Sequence, residues 1–296
     1  MRQPLISVIT VVYNGAATLA ATLESVTRQT WPHIEYILID GGSTDGTLAI
    51  IDKYKAHIAA CVSERDKGVY DAMNKGIRMA KGEYIYFLGS DDELENDQVL
   101  AAVFSDPSWM EHDLIYGNVK SPSYKGLYDG PFSYEKLLVR NISHQAIFYK
   151  RDIFQRIGDY NLRYPMHADW DLNIRCFNDP LVKPKYVDVL VARFGSEGIS
   201  SGHDIPFLQE VLIREKLKWL DRSGGSLRGV KVYDEWWRLL RNAGIRDLAA
   251  LEKCAGGEKI PPAVKRMAAW QKRLPAGLLR RGLFSKSVMI ISYIWP

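Results

Sequence analysis

The sequence predicts an α/β fold with a mainly parallel sheet, and two observations support this. Through roughly the first 90 residues, apolar segments of strand length alternate with segments of helical periodicity, which is the pattern of βαβ units. Each of these apolar segments also runs into polar residues or glycines, as strands do where they reach the edge of a sheet.

The first part of the chain contains four predicted strands and three predicted helices. The strands are residues 5–12, 34–40, 58–62 and 84–88, and their composition is that of buried strands. The helices are residues 16–28, 47–56 and 68–80. The last helix is the clearest, because Val69, Met73, Gly76, Ile77 and Ala80 recur at helical spacing.

Beyond residue 112 the pattern is mixed. Short strands are predicted near residues 114–119, 146–149 and 185–194, and helices near residues 134–139 and 169–176. From about residue 207 the pattern is helical, with glycine pairs at 224–225 and 256–257 that break it.

The composition is that of a folded protein, with 47% apolar and 25% charged residues among 296. Three cysteines without C-x-x-C spacing favour neither a disulfide framework nor a structural zinc site, so a reducing cytosol is the expected compartment. The N-terminus lacks a signal-peptide pattern, and no apolar run reaches the ~18–20 residues needed to span a bilayer.

The net charge of +4 is unevenly distributed. Residues 259–296 contain eight Lys or Arg and no Asp or Glu, which leaves residues 1–258 with 31 basic and 35 acidic residues. This distribution disfavours nucleic-acid binding by the main body and favours a negatively charged surface near the tail.

Polar residues follow all four strands predicted in the first part of the chain. The carboxyl ends of parallel strands share one edge of a sheet, and α/β folds bind ligands at that edge. Together these residues describe a crevice with acceptors for a base and ribose, donors for phosphate, and carboxylates for a cation. They are Thr10, Tyr13 and Asn14; Asp40, Gly42 and Ser43; Arg65, Asp66 and Gly68; and Ser90, Asp91 and Asp92.

The adjacent carboxylates Asp91 and Asp92 have two interpretations. They repel each other unless a cation, a donor or water separates them, which favours a divalent-metal site for a phosphorylated substrate. The alternative is a turn in which Asp92 caps a helix that begins near Glu93. A dinucleotide site and a P-loop are excluded, because neither G-x-G-x-x-G nor G-x-x-x-x-G-K-[ST] is present.

Three segments resemble the nucleotide-sugar half of family 2 glycosyltransferases, which have the GT-A fold. They are SVITVVYNGAATLAATLESVTRQTWPHIEYILIDGGSTDGT, ERDKGVYDAMNKGI and YIYFLGSDDE. The resemblance continues through HQAIFY, ADWDLNIR and FGSEGISS, and covers roughly residues 5–202. The pattern is similar to bacterial enzymes that build exopolysaccharide, capsule, O-antigen or glycolipid glycans.

The resemblance implies roles for the matching residues. Asp40 is expected to contact the nucleotide base and Asp91 the ribose, Asp92 to bind Mg²⁺ or Mn²⁺, and Asp169 to act as the catalytic base. The nucleotide-sugar site also includes the other strand-end residues named above together with Tyr70, Asn74 and Lys75, and the acceptor side includes His144, Gln145, His167 and Trp170. Two alternatives stay open, namely that Asp169 is a helix N-cap and that His144 is a structural histidine at a strand end.

Three features depart from the family pattern. The metal motif is Ser90-Asp91-Asp92, without a residue between the aspartates. Ala168 precedes the expected base, where an acidic residue is common. No Q-x-x-R-W motif and no membrane span is found, so one sugar is expected to be added per encounter.

The sequence therefore predicts an inverting, metal-dependent, non-processive glycosyltransferase that moves a sugar from a nucleotide-sugar to a glycan or lipid-linked acceptor. Residues 1–205 are the expected catalytic domain, with the nucleotide-sugar half at 1–112 and the acceptor half at 113–205, and residues 206–296 a helical extension. One alternative is a sugar-phosphate nucleotidyltransferase, whose usual Gly-rich basic loop is missing from VVYNGAATL. The other is a non-catalytic glycan-binding relative.

The basic tail gives a separate expectation. Its basic pairs at 265–266, 272–273 and 280–281 recur every seven or eight residues, as one side of a helix that breaks or kinks at Pro275. We expect this segment to lie peripherally on the anionic inner face of the cytoplasmic membrane, close to a lipid-linked acceptor. The alternative is a solvated basic face on a helix packed against the domain.

Overall fold

The computed structural model describes residues 3–120, 127–128, 130–194, 204–223 and 230–271. The chain divides into two units, residues 1–200 and 201–296. The helix break expected at Pro275 and the basic pairs at 272–273 and 280–281 lie outside the described residues. The first pair of the expected membrane-binding segment, Lys265 and Arg266, is exposed on a described helix.

The first unit is built on one sheet, which contains nine strands among the described residues. Their order is β3-β2-β1-β4-β8-β6-β9-β5, and β7 pairs with β6. The strands are β1 (Ile6–Val12), β2 (Ile34–Asp40), β3 (Ala60–Ser63), β4 (Tyr84–Phe87), β5 (Glu93–Leu94), β6 (Leu114–Lys120), β7 (Leu127–Tyr128), β8 (Ile147–Lys150) and β9 (Pro184–Arg193).

The sheet is parallel where the sequence predicts βαβ units and mixed beyond them. Strands β3, β2, β1 and β4 are all parallel, whereas β8 runs antiparallel to both β4 and β6. All residues of β1 and β4 are buried, which explains why these strands read as continuous apolar runs. Because β2 and β4 flank β1 on opposite sides, a crevice opens at the carboxyl end of β1.

Seven helices cover this sheet within the described part of the first unit. They are α1 (Leu19–Thr27), α2 (Thr47–Lys53), α3 (Val69–Met79), α4 (Val99–Phe104), α5 (Tyr134–Leu137), α6 (Asp152–Arg156) and α7 (Ala168–Asn178). The predicted helices correspond to α1, α2, α3, α5 and α7, and are confirmed. Helices α4 and α6, which have six and five residues, were not predicted.

Helix α3 lies close to β1 because Gly76 has no side chain. A Cβ atom at this position would stand 2.6 Å from Cγ2 of Ile9, well inside van der Waals contact. This approach fixes the height of α3 over the sheet, so that its N-terminal residues reach the carboxyl edge.

The alternative in which Asp92 caps a helix is wrong. Residues 93–94 form strand β5, which pairs antiparallel with β9, and the next helix begins only at Val99. The reason is burial: Leu94 is in the core, and its N–H donates to Oγ of Ser25. Glu95 then pairs with Arg193 of β9.

The regular structure in the described part of the second unit is all helical. It comprises α8 (Ile205–Phe207), a π-helical turn (Leu208–Leu212), α9 (Ile213–Arg222), α10 (Val230–Asn242), α11 (Leu248–Ala255) and α12 (Pro262–Gln271). Helix α11 begins at the capping side chain of Asp247 and ends at Gly256, which has a left-handed backbone with φ of 59°. No helix in the described part of the chain is both long and apolar enough to cross a bilayer.

Candidate active site

The loops that follow β1 and β2 are joined by hydrogen bonds. The N–H of Asn14 donates to Oγ of Ser43 at 2.8 Å, and the N–H of Thr44 donates to Oδ1 of Asn14 at 2.9 Å. The N–H of Ala16 donates to Asp45 in the same way. Asn14 has a positive φ of 51°, a conformation that Asn tolerates better than most residues. The two loops therefore form one rigid rim.

Asp40 is the centre of this rim. It is fully buried at the end of β2, and its carboxylate accepts hydrogen bonds from the N–H of Gly42 and from the N–H and hydroxyl of Ser43. The hydroxyl of Ser63 on β3 donates to it at 2.6 Å. These four internal donors join the loop after β2 and strand β3 to the carboxylate of Asp40.

The carboxylate of Asp66 also lies beside this loop, and Asp66 is less buried than Asp40. A Cβ atom on Gly41 would lie 2.6 Å from Oδ2 of Asp66 and 3.4 Å from the ring of Tyr13. Asp66 also accepts from the N–H of Gly68 at 2.9 Å, while the ring of Tyr13 is two-thirds exposed. The bare backbone at Gly41 thus leaves room for a carboxylate and an accessible aromatic ring.

Two predicted donor-site residues have internal partners instead. Thr10 is fully buried within β1, and its hydroxyl shares a hydrogen bond with that of Tyr36 at 3.1 Å. The amide of Asn74 exchanges two hydrogen bonds, of 2.9 and 3.0 Å, with the backbone of Tyr160. Both side chains therefore stabilise the walls of the crevice.

Lys75 and Arg65 differ in their surroundings. The ammonium of Lys75 lies 2.9 Å from Glu64 and 3.3 Å from the carbonyl of Arg65. The Arg65 side chain is exposed on the loop that precedes α3. Lys75 fixes that loop, whereas Arg65 faces solvent.

Asp91 and Asp92 converge over Gly89 after β4. A Cβ atom on Gly89 would collide with Oδ2 of Asp92 and would approach Oδ1 of Asp91 to 3.1 Å. Asp91 is exposed, whereas Asp92 is buried and accepts from Nε2 of Gln145 at 2.9 Å. The adjacent Ser90 lies against Gly15 and so connects this edge to the loop after β1.

Asp169 lies in the first turn of α7, whose N-cap is His167, so the interpretation of Asp169 as the N-cap is wrong. Its Oδ1 accepts from the hydroxyl of Tyr70 at 2.9 Å and from the N–H of Trp170 at 2.8 Å. Its Oδ2 accepts from Nδ2 of Asn141 at 2.8 Å. Burial, with the Asp169 charge beside it, raises the pKa of Tyr70 well above its usual value, so this hydroxyl remains a donor.

One short 3₁₀ turn, His144–Ala146, lies beside both Asp92 and Asp169. Nδ1 of His144 lies 3.9 Å from Oδ2 of Asp169, while the next residue, Gln145, donates to Asp92. Asp169 and Asp92 are therefore brought near each other, because neighbouring residues of one turn contact them.

His167 and Trp170 belong to the wall beside Asp169. Their ring centroids are 5.8 Å apart, and the indole N–H of Trp170 donates to the carbonyl of Leu137 at 2.7 Å. Trp170 therefore fixes the start of α7 against α5.

Asn141 was not predicted as a site residue, although it donates to Asp169. It lies between α5 and β8 in the segment VRNISHQ, and no spacing or motif distinguishes it there. Only the folded chain brings it to Asp169.

Comparison with known proteins identifies the family. Residues 7–158 match the profile of Glycosyl transferase family 2, which covers half of the chain. The chain is a family 2 glycosyltransferase. A relative from Mycobacterium bovis, named PGL/p-HBAD biosynthesis glycosyltransferase, is 44% identical over 207 residues, which are 67% of this chain and 79% of that protein.

Solved structures show that this glycosyltransferase has the predicted GT-A fold. Staphylococcus aureus TarS 1–349 in complex with UDP-GlcNAc superposes with a TM-score of 0.60 at 15% identity, covering 96% of this chain and 87% of that chain. The mannosyltransferase PcManGT of Pyrobaculum calidifontis, in complex with GDP-Man and Mn²⁺, gives 0.53 at 18% identity, covering 97% and 87%.

The contrast between Asp40 and Asp66 predicts a difference in stability. In this glycosyltransferase, Asp40→Asn should lower the free energy of unfolding by about 2 kcal/mol or more, because hydrogen bonds to a buried charged group are lost. Asp66→Asn is the matched control and should change it by less than about 1 kcal/mol, as expected for a side chain outside the core. Urea denaturation measures both, and equal losses would contradict the structural role given to Asp40.

Proposed function

We propose that this enzyme transfers one sugar per encounter from a nucleotide-sugar to a hydroxyl group of a glycan or lipid-linked acceptor, with inversion at the anomeric carbon. The observation that carries this proposal is that the turn His144–Ala146 lies beside two carboxylates. We assign Asp169 as the proton acceptor and Asp92 as a ligand of a cation. Proton removal and leaving-group stabilisation are the two tasks that sugar transfer requires.

The proposed donor site lies at the carboxyl ends of β1, β2 and β4. Because internal donors occupy Asp40, we assign recognition of the base to Asp66 and the exposed ring of Tyr13. Asp91, which is exposed at the end of β4, is assigned to the ribose. TarS binds UDP-GlcNAc and PcManGT binds GDP-Man, which supports a nucleotide-sugar as the donor.

The residues present fit a divalent cation that is shared with the donor. Asp91 and Asp92 supply hard oxygen ligands on one side of Gly89. Among the described residues, no group of three or more His, Cys, Asp or Glu could hold a metal ion without help. The diphosphate and water therefore have to complete the shell, and PcManGT with GDP-Man and Mn²⁺ offers a parallel. A bound Mg²⁺ or Mn²⁺ supplies charge neutralisation for the leaving diphosphate.

In the proposed reaction, Asp169 accepts the proton of the acceptor hydroxyl as the oxygen attacks the anomeric carbon. The bond from that carbon to the diphosphate breaks, and a nucleoside diphosphate leaves. Attack from the face opposite the leaving group gives inversion. Tyr70 and Asn141 hold the carboxylate at its two oxygens during this step.

The class of acceptor is inferred from relatives. The mycobacterial relative is named for PGL/p-HBAD biosynthesis, which supports a glycolipid or its precursor as the acceptor. The eight basic residues after Glu258 support peripheral attachment to an anionic membrane, where a lipid-linked acceptor would be found.

The first test is Asp169→Asn, which keeps the size of the side chain but removes the basic carboxylate. The donor is first identified by screening UDP-, GDP- and dTDP-sugars for release of nucleoside diphosphate. We expect the rate of transfer to fall by about 10²-fold or more, as for loss of a general base, with an unchanged donor dissociation constant. A parallel loss of donor affinity would place Asp169 in the donor site. Release of pyrophosphate instead of nucleoside diphosphate would indicate a nucleotidyltransferase.

The second test concerns the cation. Asp92→Asn should lower turnover by at least about 10²-fold, because charge neutralisation by a bound metal is worth several kcal/mol. The asparagine oxygen can still accept from Gln145, so the thermal stability should change little. Asp52→Asn, an exposed position on α2, is the control. Full activity of the parent protein after dialysis against excess EDTA would remove the metal assignment.

The third test concerns attachment to the membrane. In the full chain, Lys272, Arg273, Arg280 and Arg281 are replaced by Gln, and flotation with phosphatidylserine-containing vesicles is measured. Each basic residue near such a surface contributes about 1 kcal/mol, so the partition coefficient should fall by about 10²-fold or more. The control replaces four exposed lysines of the first unit: Lys53, Lys55, Lys81 and Lys183. Equal flotation of parent and tail variant, or binding that high salt leaves unchanged, would exclude an electrostatic anchor.

A further inference from the structure

The two oxygens of Asp169 are hydrogen-bonded unequally. Oδ1 accepts two hydrogen bonds, from Tyr70 and from the N–H of Trp170. Oδ2 accepts one, from Asn141, and no second donor reaches it from the part of the chain that the structure describes. Since a carboxylate oxygen has two acceptor positions, the open one is on Oδ2.

A chain of buried donors leads to this oxygen. The hydroxyl of Tyr149 donates to Oδ1 of Asn173 at 2.7 Å, and Nδ2 of Asn173 donates to Oδ1 of Asn141 at 2.8 Å. Nδ2 of Asn141 then donates to Asp169. Tyr149 and Asn173 are both fully buried, so water does not compete for the hydrogen bond between them.

The order of donors and acceptors in this chain determines the orientation of the side-chain amides of Asn141 and Asn173. If Asn141 were flipped, its oxygen would face the Asp169 carboxylate and its amide nitrogen would face that of Asn173. Each flip would leave buried donors and acceptors without partners, which is costly. The chain therefore holds Asp169 in one orientation, with its Oδ2 beside His144.

The space between Oδ2 of Asp169 and Nδ1 of His144 suits a hydroxyl group. The two atoms are 3.9 Å apart, too far for a hydrogen bond between them. A hydroxyl oxygen about 2.8 Å from each can span this gap when its two hydrogen bonds meet at roughly a right angle. The side chain of His144 is about one-quarter exposed, so this space is accessible from solvent.

We propose that the acceptor hydroxyl binds between Oδ2 of Asp169 and Nδ1 of His144, and that Asn141, Asn173 and Tyr149 are positioning residues for that oxygen. The inference rests on the proposed function and deepens it. The acceptor O–H bond breaks as its proton passes to Oδ2, while the acceptor oxygen bonds to the anomeric carbon. The nucleoside diphosphate leaves with the electron pair of the broken C–O bond.

The positioning role is tested at the far end of the chain with Tyr149→Phe. Water can replace the acceptor, so kcat and KM are measured for hydrolysis of the donor identified above and for its methanolysis. We expect kcat to fall by about 5-fold because the polarised chain loses its first donor, with donor KM unchanged. Asn141→Leu, which is similar in size, should lower kcat by about 10²-fold, as a displaced catalytic group does.

Tyr84→Phe is the matched control. Tyr84 is a buried tyrosine of neighbouring β4, and its hydroxyl donates to the backbone carbonyls of Met110 and His112, away from Asp169. It should lose comparable thermal stability with unchanged kcat. The positioning role is overturned if Tyr149→Phe keeps the parent kcat, or if Tyr84→Phe loses as much activity as Tyr149→Phe.

The role of His144 is tested by two substitutions. His144→Ala should lower kcat for hydrolysis and methanolysis by about 10-fold, since one hydrogen bond that orients the nucleophile is lost, and should leave donor KM unchanged. His144→Asn places an amide group near the former position of Nδ1 and should restore part of this loss. Parent-like kcat in His144→Ala, or no difference between the two variants, would overturn the assignment.

The experiments distinguish failure of the proposed function from failure of this further inference. If Asp169→Asn retains full transfer activity, the catalytic base of the proposed function is wrong. If Asp169→Asn is inactive while the Tyr149, Asn141 and His144 variants behave like the parent, the proposed function stands and only this inference fails.

Discussion

The parallel pairing of β1 with β2 and β4 is the constraint on which the rest of the first unit depends. It aligns Val12 with Asp40 across β1 and β2, and Asp40 with Ser63 across β2 and β3. These strands therefore end at one level, and the loops that follow them start close enough to bond to each other. Asn14, Ser43 and Thr44 then close the rim. A register shift by one residue would reverse the faces of β1 and destroy this edge.

Four carboxylates on this edge acquire different properties from their surroundings. Asp40 is buried and saturated by internal donors, so it acts on the loop. Asp169 is hydrogen-bonded at both oxygens but retains one open acceptor position among the described contacts. Asp92 is buried beside Gln145, and Asp91 next to it is exposed. All four side chains are aspartates, so the differences between them come from burial and from the number of hydrogen-bond donors around each carboxylate.

The sequence predicted seven of the nine described strands and most of the helices, because burial on both faces and helical periodicity are local signals. It missed β5 and β7, which have only two residues each. It also predicted the strand-end residues, since the edge of a parallel sheet follows from strand order. It could not predict that Asp40 is surrounded by internal donors while Asp66 is more accessible. That difference depends on Gly41 having no side chain and on the loop that follows β3. Asn141 and Asn173 were missed for the same reason. The positioning role proposed for them rests on a contact between residues 32 apart in the chain, which no sequence motif reveals.

The charge around the crevice supports the proposal that a cation and the nucleotide-sugar donor bind together. Asp66, Asp91, Asp92 and Asp169 are all acidic, whereas Lys75 is paired with Glu64 and Arg65 is exposed to solvent. A diphosphate brought to this edge would meet like charges, which repel it unless a cation intervenes. A metal held by Asp91 and Asp92 alone would in turn have an incomplete shell. The metal would supply the positive charge that the diphosphate requires, and the diphosphate would supply oxygen ligands to the metal. Binding of either one should therefore raise the affinity for the other by the same factor.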